Sequence, residues 1–131
     1  MGYKARVYYH HTDCGGVVYY ANYLQFLEEA RTEFLAQKGV SVPAYVEQGR
    51  HFVVSRQEMD YRAPAYYGDV LDIDTRVEGV SGVRIELLHD IRTASGTLVV
   101  QARTILAFID MNFKPCAIPR ELRERLQSAI I

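Results

Sequence analysis

The chain is predicted to be α+β, with an antiparallel sheet of about five strands against one long helix. Three observations predict it. One segment, from about Ala21 to Lys38, carries helical periodicity. Most of the remainder alternates apolar with polar residues, which is strand period. Short turns join the alternating segments, and short turns make antiparallel neighbours. At 131 residues the chain can bury one core, so a single domain over 1–131 is expected.

The elements follow in order. Tyr3, Ala5, Val7 and Tyr9 alternate with Lys4, Arg6 and Tyr8, so residues 3–9 read as a strand that Gly15-Gly16 then breaks. In the helix, Tyr23, Phe26, Leu27, Ala30 and Phe34 share a face that Leu24 and Leu35 widen; Gln25, Glu28, Glu29, Thr32, Glu33 and Gln37 lie opposite. So wide a stripe implies a helix covered on most of its circumference, as when a sheet curls around it. Gly39 ends it after a basic last turn. Residues 40–50, with Pro43 and Gly49, read as a connection. His51–Ala63, Val70–Val77, Val83–Arg92 and Leu98–Ile109 read as strands, separated by Pro64 with Gly68-Asp69, by Gly79 to Gly82, and by Ser95-Gly96. Pro119 opens a short C-terminal helix.

The bulk properties exclude several classes. A net charge of −1 gives no reason to expect nucleic acid or an anionic membrane as partner. No apolar run approaches the ~20 residues of a membrane span. The segment Met1-Gly2-Tyr3-Lys4-Ala5-Arg6 lacks an apolar signal region, so a cytoplasmic protein is expected. Cys14 and Cys116 make no disulfide framework and are expected as thiols. Ten tyrosines and no tryptophan suit half-buried sheet faces and interfaces. His51 and His89 read as polar residues at strand surfaces or interfaces.

The candidate site is Tyr8 to Tyr23, which gathers Asp13, His10, His11, Cys14 and Gly15-Gly16 ahead of the helix N-terminus. There a carboxylate can be positioned while helix N–H groups stabilise a second negative charge. Asp13 after Thr12 and before two glycines is also what a turn or cap needs. A metal reading of His10, His11, Asp13 and Cys14 is set aside, because neighbouring strand residues point to opposite faces and the spacing matches no metal motif. Cys14 has no basic partner implied, so it is not read as a nucleophile.

A strand ending in Tyr9, then Thr12-Asp13-x-Gly-Gly-Val-Val-Tyr, then Ala21-Asn22-Tyr23 opening a long helix, resembles the hotdog-fold 4-hydroxybenzoyl-CoA thioesterase family. It is most similar to the acyl-CoA thioesterase branch associated with Tol–Pal genes. Phe52-Val53-Val54, Tyr61-Arg62-Ala63-Pro64, Gly68-Asp69, Pro115 and Ile118-Pro119 extend the resemblance over the whole chain. It implies a hotdog fold, the sheet wrapped around one long central helix. It implies hydrolysis of a CoA thioester, with Asp13 as nucleophile or general base. It places the oxyanion donor at the backbone N–H of Tyr20 and puts Tyr9 near the site. It also implies dimers or tetramers with sites at the subunit interface. The sequence departs from the branch at Tyr20, where many members have histidine, and at His10 and His11, where acidic residues are usual.

Thioester hydrolysis needs a carboxylate to attack or to activate water, and donors for the oxyanion. No metal or organic cofactor is required. Gly15, Gly16 and Val17 are the expected substrate-contacting residues of the motif, and Asn22 reads as a helix-start hydrogen-bonder with substrate contact as the alternative. An acyl-CoA or aroyl-CoA also brings phosphates, for which Ser81, Arg84, Arg56 and Arg62 are candidates. Glu58 or Asp60 could reach a site from either subunit. The alternatives are a hotdog protein that binds acyl-CoA without turnover, a thioesterase acting on acyl carrier protein, and a hydratase or dehydratase on the same fold.

Overall fold

The computed structural model describes residues 2–130. These form β1 (Tyr3–Arg6), α1 (Asn22–Gln37), α2 (Val42–Glu47), β2 (His51–Tyr61), β3 (Val70–Val80), β4 (Arg84–Thr93), β5 (Leu98–Ile109) and α3 (Arg120–Ser128). The strands make one antiparallel sheet in the order β1-β3-β4-β5-β2, the α+β arrangement that the alternation predicts. β1 pairs with β3, Tyr3 opposite Ile73 and Arg6 opposite Val70.

Two compact units share these elements. The first holds the chain up to Glu33 with Met59–Thr75 and His89–Ala102. Its core packs Tyr23, Phe26, Leu27 and Ala30 of α1 with Leu71, Ile73, Ile91, Val99 and Val100. Burying each large side chain there contributes about 1.5–3 kcal/mol. The second unit holds Phe34–Glu58, Arg76–Leu88 and the chain from Arg103 on. Its core packs Leu35, Val77, Ile85, Leu87, Leu106 and Phe108 with Ile118, Leu122 and Leu126. Thr104 is buried there and donates to Gln57 Oε1 at 2.8 Å.

Several expectations need correction. The first strand stops at Arg6, and Tyr9–His11 is a 3-10 turn. Alternation therefore does not apply to His10 and His11: their ring centroids lie 4.0 Å apart. Helix α1 starts at Asn22, later than Tyr20 or Ala21, and Leu24 on it is exposed. Residues 40–50 contain a helix. Ser41 Oγ accepts the N–H of Ala44 at 3.3 Å, and Pro43 sits in the first turn, where its missing N–H costs nothing. His89 is buried and its Nδ1 meets Thr75 Oγ1 at 3.0 Å. The α1 C-terminus follows its signal. Val40 N–H reaches Leu35 O and Gly39 N–H reaches Ala36 O, with Gly39 at φ 80°. Arg125 of α3 adds a donor to the carbonyl of Gly39 at 3.3 Å.

Candidate active site

Asp13 sits at the head of a tight loop in the first unit. Its N–H donates to Val17 O at 2.9 Å, Gly16 N–H donates to Asp13 O at 3.1 Å, and Thr12 pairs across to Val18. Gly16 has φ 81°, which a side chain would strain. Gly15 N–H donates to Asp13 Oδ1 at 2.8 Å, and a Cβ added to Gly15 would lie 3.1 Å from that oxygen. A side chain at Gly15 would therefore push on the carboxylate. Its second oxygen has no hydrogen-bond partner among the described residues, and the side chain is exposed.

Backbone bonds clamp both ends of this loop. The His11 carbonyl accepts Tyr19 N–H at 2.9 Å and Asn22 Nδ2 at 2.7 Å. Asn22 N–H returns to Tyr19 O at 2.8 Å. Val18 N–H reaches Ala65 O at 2.9 Å, and Val17 pairs with Tyr66. The first residue of α1 is therefore tied to the residue two before Asp13. Asn22, read as a helix-start hydrogen-bonder or a substrate contact, spends one of its two amide N–H groups on this tie.

Tyr20 lies two residues before α1 and is 60% exposed. Its N–H makes no hydrogen bond among the described residues, and its carbonyl accepts the Tyr61 hydroxyl at 3.3 Å. That leaves a backbone donor open at the positive end of a helix. Around it stand Tyr19 (4.9 Å between ring centroids) and Tyr61 (6.1 Å). The Tyr19 phenol is held above its ordinary value by its contact with the Tyr20 hydroxyl first, and lastly by Asp13. Burial first, then Tyr20, raises that of Tyr61, and burial pushes Tyr23 up to about 12. At neutral pH these three phenols stay protonated and offer donors, not bases. Tyr9 points outward, 78% exposed, its ring edge-on to Tyr67 at 6.1 Å.

His11 is the residue that strand reasoning passed over. Its ring is buried against Phe26 at 4.8 Å, and Nδ1 accepts Tyr8 N–H at 2.8 Å. Burial, then the neighbouring His10, lowers its pKa, with Glu29 opposing.

Ser81, Arg84 and Arg56 belong to the second unit. Ser81 Oγ accepts the N–H of Arg84 at 3.1 Å and shapes the β3–β4 turn. The Arg84 guanidinium is exposed and makes no hydrogen bond or ion pair among the described residues. Arg56 is 3.6 Å from Glu58, which also meets Arg103 at 3.5 Å. In the first unit Arg62 donates to Gln101 Oε1 at 2.9 Å. Among the described residues no cluster of three or more His, Cys, Asp or Glu is placed to hold a metal, and no helix is long and apolar enough to cross a membrane. Cys14 and Cys116 are free thiols.

Residues 7–126 match the family described as the thioesterase-like superfamily. The acyl-CoA thioesterase YbgC of Haemophilus influenzae is 38% identical over 126 residues, covering 94% of this chain and 91% of that protein. The acyl-CoA thioester hydrolase YbgC of Escherichia coli O6:H1 is 37% identical over 118 residues, covering 89% and 88%. The structure of Slr0204, a 1,4-dihydroxy-2-naphthoyl-CoA thioesterase from Synechocystis, superposes with a TM-score of 0.89 at 26% identity, covering 96% of this chain and 94% of the other.

Proposed function

The chain belongs to the thioesterase-like superfamily, has the hotdog fold and is a thioester hydrolase; on that premise we propose that it cleaves an acyl-CoA through Asp13. The observation that carries the reading is the Asp13 carboxylate. One oxygen is fixed by Gly15 N–H, the other is open, and the loop beneath is tied to the start of α1. The open oxygen attacks the thioester carbonyl or takes the proton of the attacking water. The Tyr20 N–H receives the oxyanion that forms, in the field of the helix dipole. On the base route, collapse of the tetrahedral species expels CoA thiolate, which takes the proton from Asp13, and leaves the carboxylic acid. On the nucleophile route it expels CoA thiolate and leaves an acyl–Asp13 anhydride, which a water then hydrolyses to the acid. Val17 and the glycines border the reacting carbon, and on the second unit the exposed Arg84 guanidinium is the candidate to pair with CoA phosphates.

The match of one family over residues 7–126 supports reading the chain as one thioesterase domain. Free thiols fit a cytoplasmic protein. A homodimer or homotetramer with sites at subunit interfaces fits the exposed aromatics Tyr9, Tyr20, Tyr61 and Tyr67 of the first unit, the unit that carries Asp13.

Thiol release by the purified protein over short, long and aromatic acyl-CoAs tests the reading. Turnover of at least one class is expected. Tight acyl-CoA binding without thiol release would favour the non-catalytic alternative, and turnover of acyl carrier protein thioesters alone would move the substrate assignment there.

A further inference from the structure

We propose that His11 is the positioning residue of this site, its unprotonated Nδ1 closing the turn that carries Asp13, so that hydrolysis fails when the imidazole takes up a proton. The inference rests on the assignment of Asp13 above. Its geometry stands by itself. His11 N–H donates to Tyr8 O at 3.0 Å while Tyr8 N–H donates to His11 Nδ1 at 2.8 Å. This reciprocal pair closes the 3-10 turn, and Thr12 tightens it with N–H and hydroxyl bonds to Tyr9 O at 3.0 and 2.7 Å. The same His11 offers its carbonyl to Tyr19 and Asn22. One residue therefore joins the exit of β1, the far side of the Asp13 loop and the start of α1.

The bond also fixes the tautomer. A nitrogen that accepts carries no proton, so the neutral ring holds its proton on Nε2. Protonation would set an Nδ1–H against the Tyr8 N–H, two donors face to face. His11 is only 9% exposed and its ring packs edge-on against Phe26 at 4.8 Å, a contact it would give up by turning toward the groove.

The surroundings decide the direction. Beside the ring stand His10 on the turn, Glu29 on α1, and Lys4 and Arg6 on β1, all lining an open groove of about 460 Å³ with Tyr3 and Tyr8. Glu29 alone favours the imidazolium, and its carboxylate already accepts the Tyr3 hydroxyl at 2.9 Å. Burial first, then the neighbouring His10, disfavours it, which agrees with the lowered pKa, while the Lys4 ammonium is paired with Asp72 at 2.9 Å. A depressed histidine contributes its stability above the ordinary value of about 6.5 and loses it as pH falls through the folded value. The acid limb of activity therefore lies below that value.

The test compares wild type, His11→Asn and His11→Ala by kcat and KM against pH, with NMR of the imidazole nitrogens. Asn places an oxygen where Nδ1 sits and cannot take the proton. His11→Asn should keep kcat at pH 8 within about threefold, and His11→Ala should lose about tenfold or more in kcat with a smaller change in KM. In wild type, kcat should fall with a midpoint matching the NMR titration of His11. In His11→Asn that limb should move to lower pH. An unchanged acid limb in His11→Asn, or an Nδ1-protonated neutral ring, overturns the proposal. Asp13→Asn, run alongside, separates the two readings. Full activity in that variant removes the base assignment, while the tautomer and the His11 variants still decide the role of His11.

Discussion

Asn22→Ala offers a clean measure of how far the site depends on being tied to α1. The variant removes one bond, Asn22 Nδ2 to His11 O at 2.7 Å, in a half-buried setting. The His11 carbonyl keeps the Tyr19 N–H at 2.9 Å, so no acceptor is orphaned. The loss is then that of a net hydrogen bond, about 0.5–1.5 kcal/mol. Alanine returns about half a kcal/mol as a better helix former. The sum is a destabilisation of about 1 kcal/mol or less, a fall in Tm of about 2–5 °C for a chain of this size. The rate should suffer more, because the start of α1 is no longer fixed relative to Asp13. About tenfold in kcat is expected, since displacements near 1 Å cost up to about a hundredfold. Thermal melts and initial rates of thiol release measure the two effects. Full kcat in Asn22→Ala would refute the claim that this bond sets the loop. A change confined to KM would instead put Asn22 on the substrate.

Three further outcomes are expected. Gly16→Ala meets no neighbouring atom, so its cost is backbone strain at φ 81°, about 1–2 kcal/mol, read in denaturant melts together with a loss of rate. Phe108→Ala should cost about 3–5 kcal/mol by the same melts, because that ring is fully buried between Phe52 at 4.7 Å and Tyr45 at 5.4 Å. Arg84→Ala should leave stability within about 0.5 kcal/mol and raise KM for acyl-CoA, with no change for a truncated thioester lacking the nucleotide.

Most of the sheet was legible because its strands have one wet face. In β4, Ile85, Leu87 and Ile91 are buried as the alternation requires, and β5 runs over Leu98–Ile109 as read. The same alternation put His89 in line with those residues, yet its polarity was weighed above its position. Helix α2 was hidden because Pro43 reads as a breaker until Ser41 is seen to cap the turn before it. The 3-10 turn was hidden for a different reason. It is held by a ring nitrogen accepting a backbone N–H, a bond no periodicity reveals. Within the proposed site, the tight turn at Asp13, Gly15 and Gly16 could be read from residue type and order, while the role proposed for Asp13 came from the resemblance. Which neighbours position Asp13 could not be read, since His11 acts through its carbonyl and Nδ1 rather than through a recognisable motif.

The central claim is that the Asp13 carboxylate does the chemistry, and Asp13→Asn tests it most directly. Asparagine keeps an oxygen to accept Gly15 N–H and nearly the same shape, so the melt should be unchanged within about 0.5 kcal/mol. It removes the anionic oxygen, so thiol release from the best acyl-CoA should fall by about a hundredfold or more. Wild-type turnover in a folded Asp13→Asn would contradict the account.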